Sequence, residues 1–303
     1  MNIKDIATPS YIVDEGRLKS NLEILKSVID RTGCRILLAQ KCFSMYAVYP
    51  LIGEYISGCT ASGLFEARLG ITIEKLEEEL RKNPGFLEGV DGFHFHTLCE
   101  QNSDDLETTL EAVEQKFGKY LYDMKWLNMG GGHHITRKDY DVERLVRLVN
   151  HMKEKYQVQV YLEPGEAVAL NAGYLKTTVL DIVENAGITT LILDASAACH
   201  MPDVLEMPYR PPLKDSGEPG RKRYTYRLSS YTCLAGDIIG DYSFDRKIQI
   251  GDTLYFEDMA IYSMVKNNTF NGIGLPDIVL RHENGECEVV KHFGYEDFKG
   301  RLS

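Results

Sequence analysis

Five short stretches of the chain carry residue types that could do chemistry. Lys41 closes the apolar run Arg35-Ile36-Leu37-Leu38-Ala39-Gln40. An amine at the dry end of such a strand can lose its proton and form a Schiff base, although a solvated strand end is the commoner fate of a lysine there. His94 and His96 alternate with Phe93 and Phe95, so both imidazoles share one face of a strand. Satisfied core histidines, a metal pair and a ring packed on a flat cofactor are all open readings of that pair. Gly130-Gly131-Gly132 follows Lys125-Trp126-Leu127-Asn128-Met129; three glycines let backbone N–H groups close around a phosphate, and a bare flexible turn would read the same. The spacing is not G-x-G-x-x-G and His133-His134 follow at once, which argues against a Rossmann dinucleotide site. Glu163 precedes Pro164-Gly165, and the proline holds that carboxylate residue extended at a strand end; a structural ion pair is the plainer role for it. Far down the chain, Tyr231-Thr232-Cys233-Leu234-Ala235-Gly236-Asp237 sets a thiol beside an acid and a flexible glycine, where a buried inert cysteine is the commoner outcome.

The elements that must position these residues alternate in type over the first 165 positions. Tyr11-Ile12-Val13 leads into a helix with Leu18, Leu22, Leu25 and Val28 on one face. The run ending at Lys41 suits a strand buried on both faces of a parallel sheet. Further strands are expected at Tyr55–Cys59, Gly92–His96, Lys125–Met129 and Val158–Leu162. Helices are expected from about Ser62, from near Ser103, where Asp104 and Asp105 suit a helix N-terminus, and from Asp141 to Lys155. Strand alternating with helix means a right-handed βα series, either a barrel or a doubly wound sheet, and such folds place their sites at the C-terminal strand ends. Lys41, His96, the glycine triplet and Glu163 all fall there. After residue 166 the pattern turns to strands, at Tyr174–Val183, Thr189–Leu193, Arg223–Leu228 and Thr253–Phe256. Turns such as Pro211-Pro212 and Gly217-Glu218-Pro219-Gly220 separate them, so an all-β second domain is expected.

Composition narrows the function classes. There are 34 Lys and Arg against 45 Asp and Glu, a net charge of −11, so nucleic acid and anionic membrane are poor partners. No apolar run reaches the roughly 20 residues of a membrane helix, and the first residues lack the apolar core of a secretory signal; a cytoplasmic location is expected. The seven cysteines are scattered without a C-x-x-C pair, which points to free thiols rather than a disulfide framework or a zinc ribbon.

Taken in order, Lys41, His96, the glycine triplet, Glu163-Pro164-Gly165, Cys233, Glu257-Asp258-Met259, Tyr262 and Thr269-Phe270-Asn271-Gly272 resemble the fold-type III pyridoxal-phosphate decarboxylases, relatives of ornithine decarboxylase and alanine racemase. A narrower resemblance is carried by Leu38-Ala39-Gln40-Lys41, Phe95-His96-Thr97-Leu98-Cys99-Glu100, Asn128 to His134, Glu163-Pro164-Gly165-Glu166 and Cys199-His200-Met201-Pro202-Asp203. Glu206-Met207-Pro208-Tyr209-Arg210 and Thr232 to Asp237 agree. Together these stretches are similar to the carboxynorspermidine/carboxyspermidine decarboxylase family, over nearly the whole chain.

The resemblance implies an α/β architecture, a (β/α)8 TIM-like barrel over residues 14–165 that binds pyridoxal 5'-phosphate, with a C-terminal all-β domain built from residues 1–13 and 166–303. It implies that Lys41 holds the cofactor and exchanges it for the substrate's amine, that Glu163 pairs with the ring nitrogen, and that His96 stacks on the ring. Gly130, Gly131 and Gly132, with Tyr262, would grip the phosphate. Cys233 would donate a proton to Cα across a homodimer whose sites are shared between subunits. The family's usual Glu-Pro-Gly-Arg is here Glu163-Pro164-Gly165-Glu166, and Glu166, Asp203 and Asp237 are assigned to the cationic amines of a carboxylated triamine. No resident metal is expected. Two other readings stand beside this one. A metal-dependent barrel hydrolase would use His94, His96 and His133 or His134, leaving Lys41 and the glycines idle. A non-catalytic carrier of pyridoxal phosphate would lack a working proton donor.

One departure from the family pattern is large. An eight-stranded barrel takes roughly 250 residues, and the segment from Glu15 to Gly165 yields five strands. The shortfall falls around Ala67-Arg68-Leu69-Gly70-Ile71-Thr72, where two family Arg-Leu-Gly stretches are fused. Either those βα units are absent or a stretch has been closed over in the numbering. The second is the expectation, because removing interior strands should destroy a barrel.

Overall fold

The computed structural model describes residues 1–60 and 71–302. The helix expected from about Ser62 and the fused Arg68-Leu69-Gly70 stretch lie outside the described residues. In chain order the strands are β1 (Ser10–Asp14), β2 (Arg35–Ala39), β3 (Gly58–Thr60), β4 (Gly92–His94), β5 (Trp126–Asn128), β6 (Gln159–Leu162), β7 (Gly173–Asn185), β8 (Ile188–Leu193), β9 (Tyr224–Ser230), β10 (Ile238–Phe244), β11 (Thr253–Glu257), β12 (Asp277–Arg281) and β13 (Cys287–Lys291). The chain divides into two compact units, one of Ser20–Val168 and one of Met1–Lys19 with Ala169–Ser303.

The first unit is a parallel sheet in the order β3-β2-β6-β5-β4. Its register sets Ile36 beside Leu162, Leu127 beside Val160 and Phe93 beside Leu127. Ile36, Leu127, Val160 and Leu162 are fully buried, as a sheet covered on both faces requires. Gly92 is the residue that lets β4 close on β5, since a Cβ there would lie 2.1 Å from Trp126 Cδ2. The helices return the chain to the N-terminal edge. Ser103–Leu121 is capped by the Asn102 side chain, and Val142–Tyr156 by Asp141, whose Oδ1 accepts from Arg144 N at 2.9 Å. The helix Glu15–Thr32 buries Leu22, Leu25 and Val28, the stripe read from its spacing.

The expected closed barrel is corrected here. Among the described residues β3 pairs with β2 alone and β4 with β5 alone, so the sheet is open at both edges. Closure requires the last strand to hydrogen-bond the first, and five strands at the usual twist do not bring those edges together.

The second unit is a mixed sheet in the order β10-β9-β8-β7-β1-β12-β13, with β11 also on β7. The long β7 makes this possible. Its first half pairs with β1 and β11, and its second half with β8. The expectation of an all-β texture is modified by short helices at Ala197–His200, Asp203–Glu206 and Ser263–Lys266. The strands β10, β12 and β13 are additional to those expected from the sequence. β1 runs parallel to β12, and the Asp14 carboxylate accepts from Arg281 Nη1 at 2.5 Å across that pair.

Candidate active site

In a parallel sheet every strand ends at the same edge, and here four consecutive strands, β2, β6, β5 and β4, each release a chemically suited residue there. Lys41 follows β2, Glu163 follows β6, the glycine triplet follows β5 and His96 follows β4. At about 4.8 Å per strand the four departures span roughly 15 Å, the size of a cofactor with its substrate. Lys41 is exposed in a turn tied by Cys42 N to Ala39 O at 3.0 Å and by Ser44 Oγ to Gln40 O at 2.6 Å.

The glycine loop tolerates no side chain. Gly130 and Gly132 have φ of +68° and +81°, and a Cβ would lie 2.5 Å from Phe95 O at Gly130 and 2.0 Å from Leu98 O at Gly132. At Gly131 it would lie 2.6 Å from Glu163 O. The triplet is therefore a backbone cradle pressed between the loops of its two neighbouring strands. The Gly131 N–H points at His96 Nδ1 over a long 3.5 Å, and the His96 ring is exposed beside it. Glu163 N donates to Gly130 O at 2.8 Å, and the half-buried Glu163 carboxylate accepts from Asn128 Nδ2 at 2.8 Å. The same Asn128 accepts Gly130 N through Oδ1 at 2.9 Å.

The two histidines after the triplet turn inward. His133 Nε2 lies 3.2 Å from Met129 O, and burial pushes its imidazole down to about 4. His134 Nε2 stands 2.9 Å from Glu166 Oε2, an ion-pair distance without a hydrogen bond's alignment, with both side chains close to nine-tenths buried. Cys99 lies in the same region. Partial burial raises its thiol pKa, the charges of Glu100 and Glu166 add to that, and Lys41 opposes them, which places Lys41 and Glu166 within electrostatic reach of one sulfur. Among the described residues no three His, Cys, Asp or Glu side chains gather as metal ligands, and His94 and His96 are both exposed.

Cys233, Tyr262, Asp203 and Asp237 belong to the other unit. Cys233 is exposed, and its Sγ donates to Asn271 Oδ1 at 2.9 Å. Asn271 itself has φ +61°, a region asparagine tolerates better than most residues. Beside it a cavity of about 630 Å³ is lined by Thr269, Phe270, Asn271, Phe298 and Arg301 among others. Tyr262 is half-buried at φ +49°, a costly conformation that concentrates at functional positions. Asp203 and Asp237, which the resemblance assigns to substrate amines, both have partners of their own within this unit. Asp203 is already paired with Lys266, which also meets Glu206 Oε2 at 2.8 Å. Asp237 is 1% exposed and its carboxylate accepts Ser196 Oγ at 2.6 Å, Thr232 Oγ1 at 2.6 Å and Ala198 N at 3.2 Å. It ties Thr232, near the start of the Tyr231–Asp237 loop, to Ser196.

Asn128 and Asn271 lie in stretches that carry the family resemblance but have no role assigned from the sequence, and the His134–Glu166 pairing is not expected from it at all. Asn128 alone carried a usable signal, an amide closing a strand two residues before a glycine triplet.

Residues 10–260 match the family described as pyridoxal-dependent decarboxylase, C-terminal sheet domain. A Campylobacter jejuni protein named carboxynorspermidine/carboxyspermidine decarboxylase is 35% identical over 382 residues, covering 99% of this chain and 100% of the relative. The chain belongs to the carboxynorspermidine/carboxyspermidine decarboxylase family. A member from Herminiimonas arsenicoxydans is 29% identical and covers 98% of this chain and 100% of its own. The crystal structure of carboxynorspermidine decarboxylase complexed with norspermidine from Campylobacter jejuni superposes with a TM-score of 0.88 at 36% identity, covering 98% of this chain and 100% of that one. The fold is thus that of the fold-type III pyridoxal-phosphate decarboxylases, and pyridoxal phosphate is the cofactor. The 382-residue alignment is longer than this 303-residue chain, so the Campylobacter relative carries segments with no counterpart here. The residues present fit the group: an exposed amine, a carboxylate on the adjacent strand, a side-chain-free cradle of N–H groups and an exposed imidazole lie along one sheet edge.

Proposed function

We propose that this chain decarboxylates a carboxylated triamine, carboxynorspermidine or carboxyspermidine, to norspermidine or spermidine in polyamine synthesis. The observation that carries the reading is the order of Lys41, Glu163, Gly130–Gly132 and His96 along consecutive strand ends. The Campylobacter and Herminiimonas relatives, named for this reaction, support the substrate class.

Bound pyridoxal phosphate supplies an electron sink for the pair left at Cα when CO2 departs. Lys41 would hold the group through its amine and release it to the substrate's own α-amine. Glu163 presents a carboxylate to the ring nitrogen and holds a proton there, which makes the ring the stronger acceptor. His96 would lie against a face of the ring and keep water from it. The N–H groups of the glycine loop take the phosphate without a side chain intervening. Glu166 replaces the family's usual arginine and offers negative charge to a distal ammonium, with His134 as its resting partner. Cys233 as proton donor to Cα and Tyr262 at the phosphate complete the proposal; both rest on the family resemblance. So do a homodimer with shared sites and a cytoplasmic location. Among the described residues no helix is long and apolar enough to cross a membrane.

Incubation of the purified chain and pyridoxal phosphate with each carboxytriamine tests the reading. Stoichiometric CO2 and triamine are expected. A chain that binds the cofactor and releases CO2 from neither substrate would contradict it, and would favour the carrier role.

A further inference from the structure

We propose that Asn128 is a positioning residue that fixes the Glu163 carboxylate and the glycine loop as one unit; this rests on the reading of Glu163 as the partner of the cofactor's ring nitrogen. Asn128 ends β5 in register with Tyr161 of β6, one strand from Glu163. Its two amide groups are assigned by their partners. Gly130 N–H can only donate, so it must face Oδ1, at 2.9 Å. The NH2 group is then left to face an acceptor, and it lies 2.8 Å from Glu163 Oε1. Glu163 N returns a bond to Gly130 O at 2.8 Å. The three residues therefore close a ring of hydrogen bonds in which neither the cradle nor the carboxylate can rotate alone.

An amide is the group this geometry asks for. It donates to one side and accepts from the other, and it carries no charge to compete with Glu163 for the ring nitrogen. An aspartate would keep the acceptor for Gly130 and lose the donor for Glu163. Alanine would lose both. The two variants thus separate the loop from the carboxylate.

Three measurements on holoenzyme and cofactor-stripped protein test the proposal: turnover against pH, cofactor affinity of the stripped chain, and the pH dependence of the bound cofactor's visible band. Asn128→Ala should lose about 10-fold or more in both turnover and cofactor affinity, the scale of one or two lost hydrogen bonds. Asn128→Asp should hold cofactor affinity within about 3-fold of the parent, because the Gly130 bond survives. Its turnover should gain a pH dependence the parent lacks, falling toward high pH, since two adjacent carboxyls need a shared proton to replace the missing donor. Glu163→Gln serves as the control. If Glu163→Gln is impaired but both Asn128 variants match the parent in turnover and band at every pH, the positioning role is wrong. If Glu163→Gln itself is unimpaired, the reading of Glu163 is wrong and the inference falls with it.

Discussion

Gly165 stands against Cys42, the residue after Lys41, so closely that a Cβ on the glycine would lie 2.5 Å from the cysteine Cβ. The turn that carries Glu163 and the turn that carries Lys41 are therefore one packed unit, and the hydrogen in place of a side chain at Gly165 is what lets them meet. Gly165→Ala should cost about 1–3 kcal/mol of stability, the range for overpacking a dense site, and should weaken cofactor binding with it. Denaturant unfolding and cofactor titration check this. An unchanged midpoint with unchanged binding would mean the two turns part without cost.

Glu166 and Asp203 are the two carboxylates proposed for the substrate's distal amine, and they have different resting partners. Among the described residues Glu166 stands beside the His134 ring, whereas Asp203 holds the Lys266 ammonium. Glu166→Gln should raise KM for a carboxytriamine roughly 10-fold, on the scale of one charge-assisted hydrogen bond. Asp203→Asn should raise it as well, on the same scale. Steady-state kinetics of the two variants decide it, and kinetics equal to the parent would remove these residues from the substrate site.

If Cys233 serves the partner's site, inactive Lys41→Ala and inactive Cys233→Ala chains should regain activity when mixed, because a hybrid dimer contains one site with both residues intact. Activity that stays absent after subunit exchange is confirmed would mean that each site is built from one chain.

Acid should loosen the fold through two buried histidines. His200 Nδ1 accepts Ser196 N–H at 3.2 Å, so the proton sits on Nε2, which donates to Gly274 O at 2.9 Å. Burial pushes this imidazole down to about 4, as it does that of His133. The unfolded chain takes up a proton near 6.5, so between about 6.5 and 4 it binds more protons than the folded one. Stability is therefore complete above about 6.5 and declines as pH falls through that window, by roughly 3 kcal/mol for each histidine at its foot. Urea unfolding from pH 7 to pH 4 measures the slope. His200→Gln should flatten it, and an equal slope in that variant would assign the acid sensitivity to other groups.

The strand ends were the legible part of the chain. The continuous apolar run before Lys41, the alternation around His96 and the proline after Glu163 each mark a strand with its C-terminal residue, and β2, β4 and β6 lie where those signals place them. The same local signals say nothing of closure, which depends on whether distant edges meet, and β3 and β4 remain edges. Side-chain partners across long separations were equally hidden. Nothing near Asp203 in sequence announces Lys266, and nothing near Asp237 announces Ser196. Asn128 and Glu163 are 35 positions apart and meet only because their strands are neighbours.

The central claim is that Lys41 anchors the cofactor on which a carboxytriamine loses CO2. The direct measurement is borohydride reduction of the holoenzyme followed by peptide mass spectrometry, alongside CO2 release by Lys41→Ala. The account predicts the reduced cofactor on the peptide containing Lys41, and turnover in Lys41→Ala at or near background. Cofactor recovered on a different lysine, with Lys41→Ala still releasing CO2 at the parent rate, would contradict it.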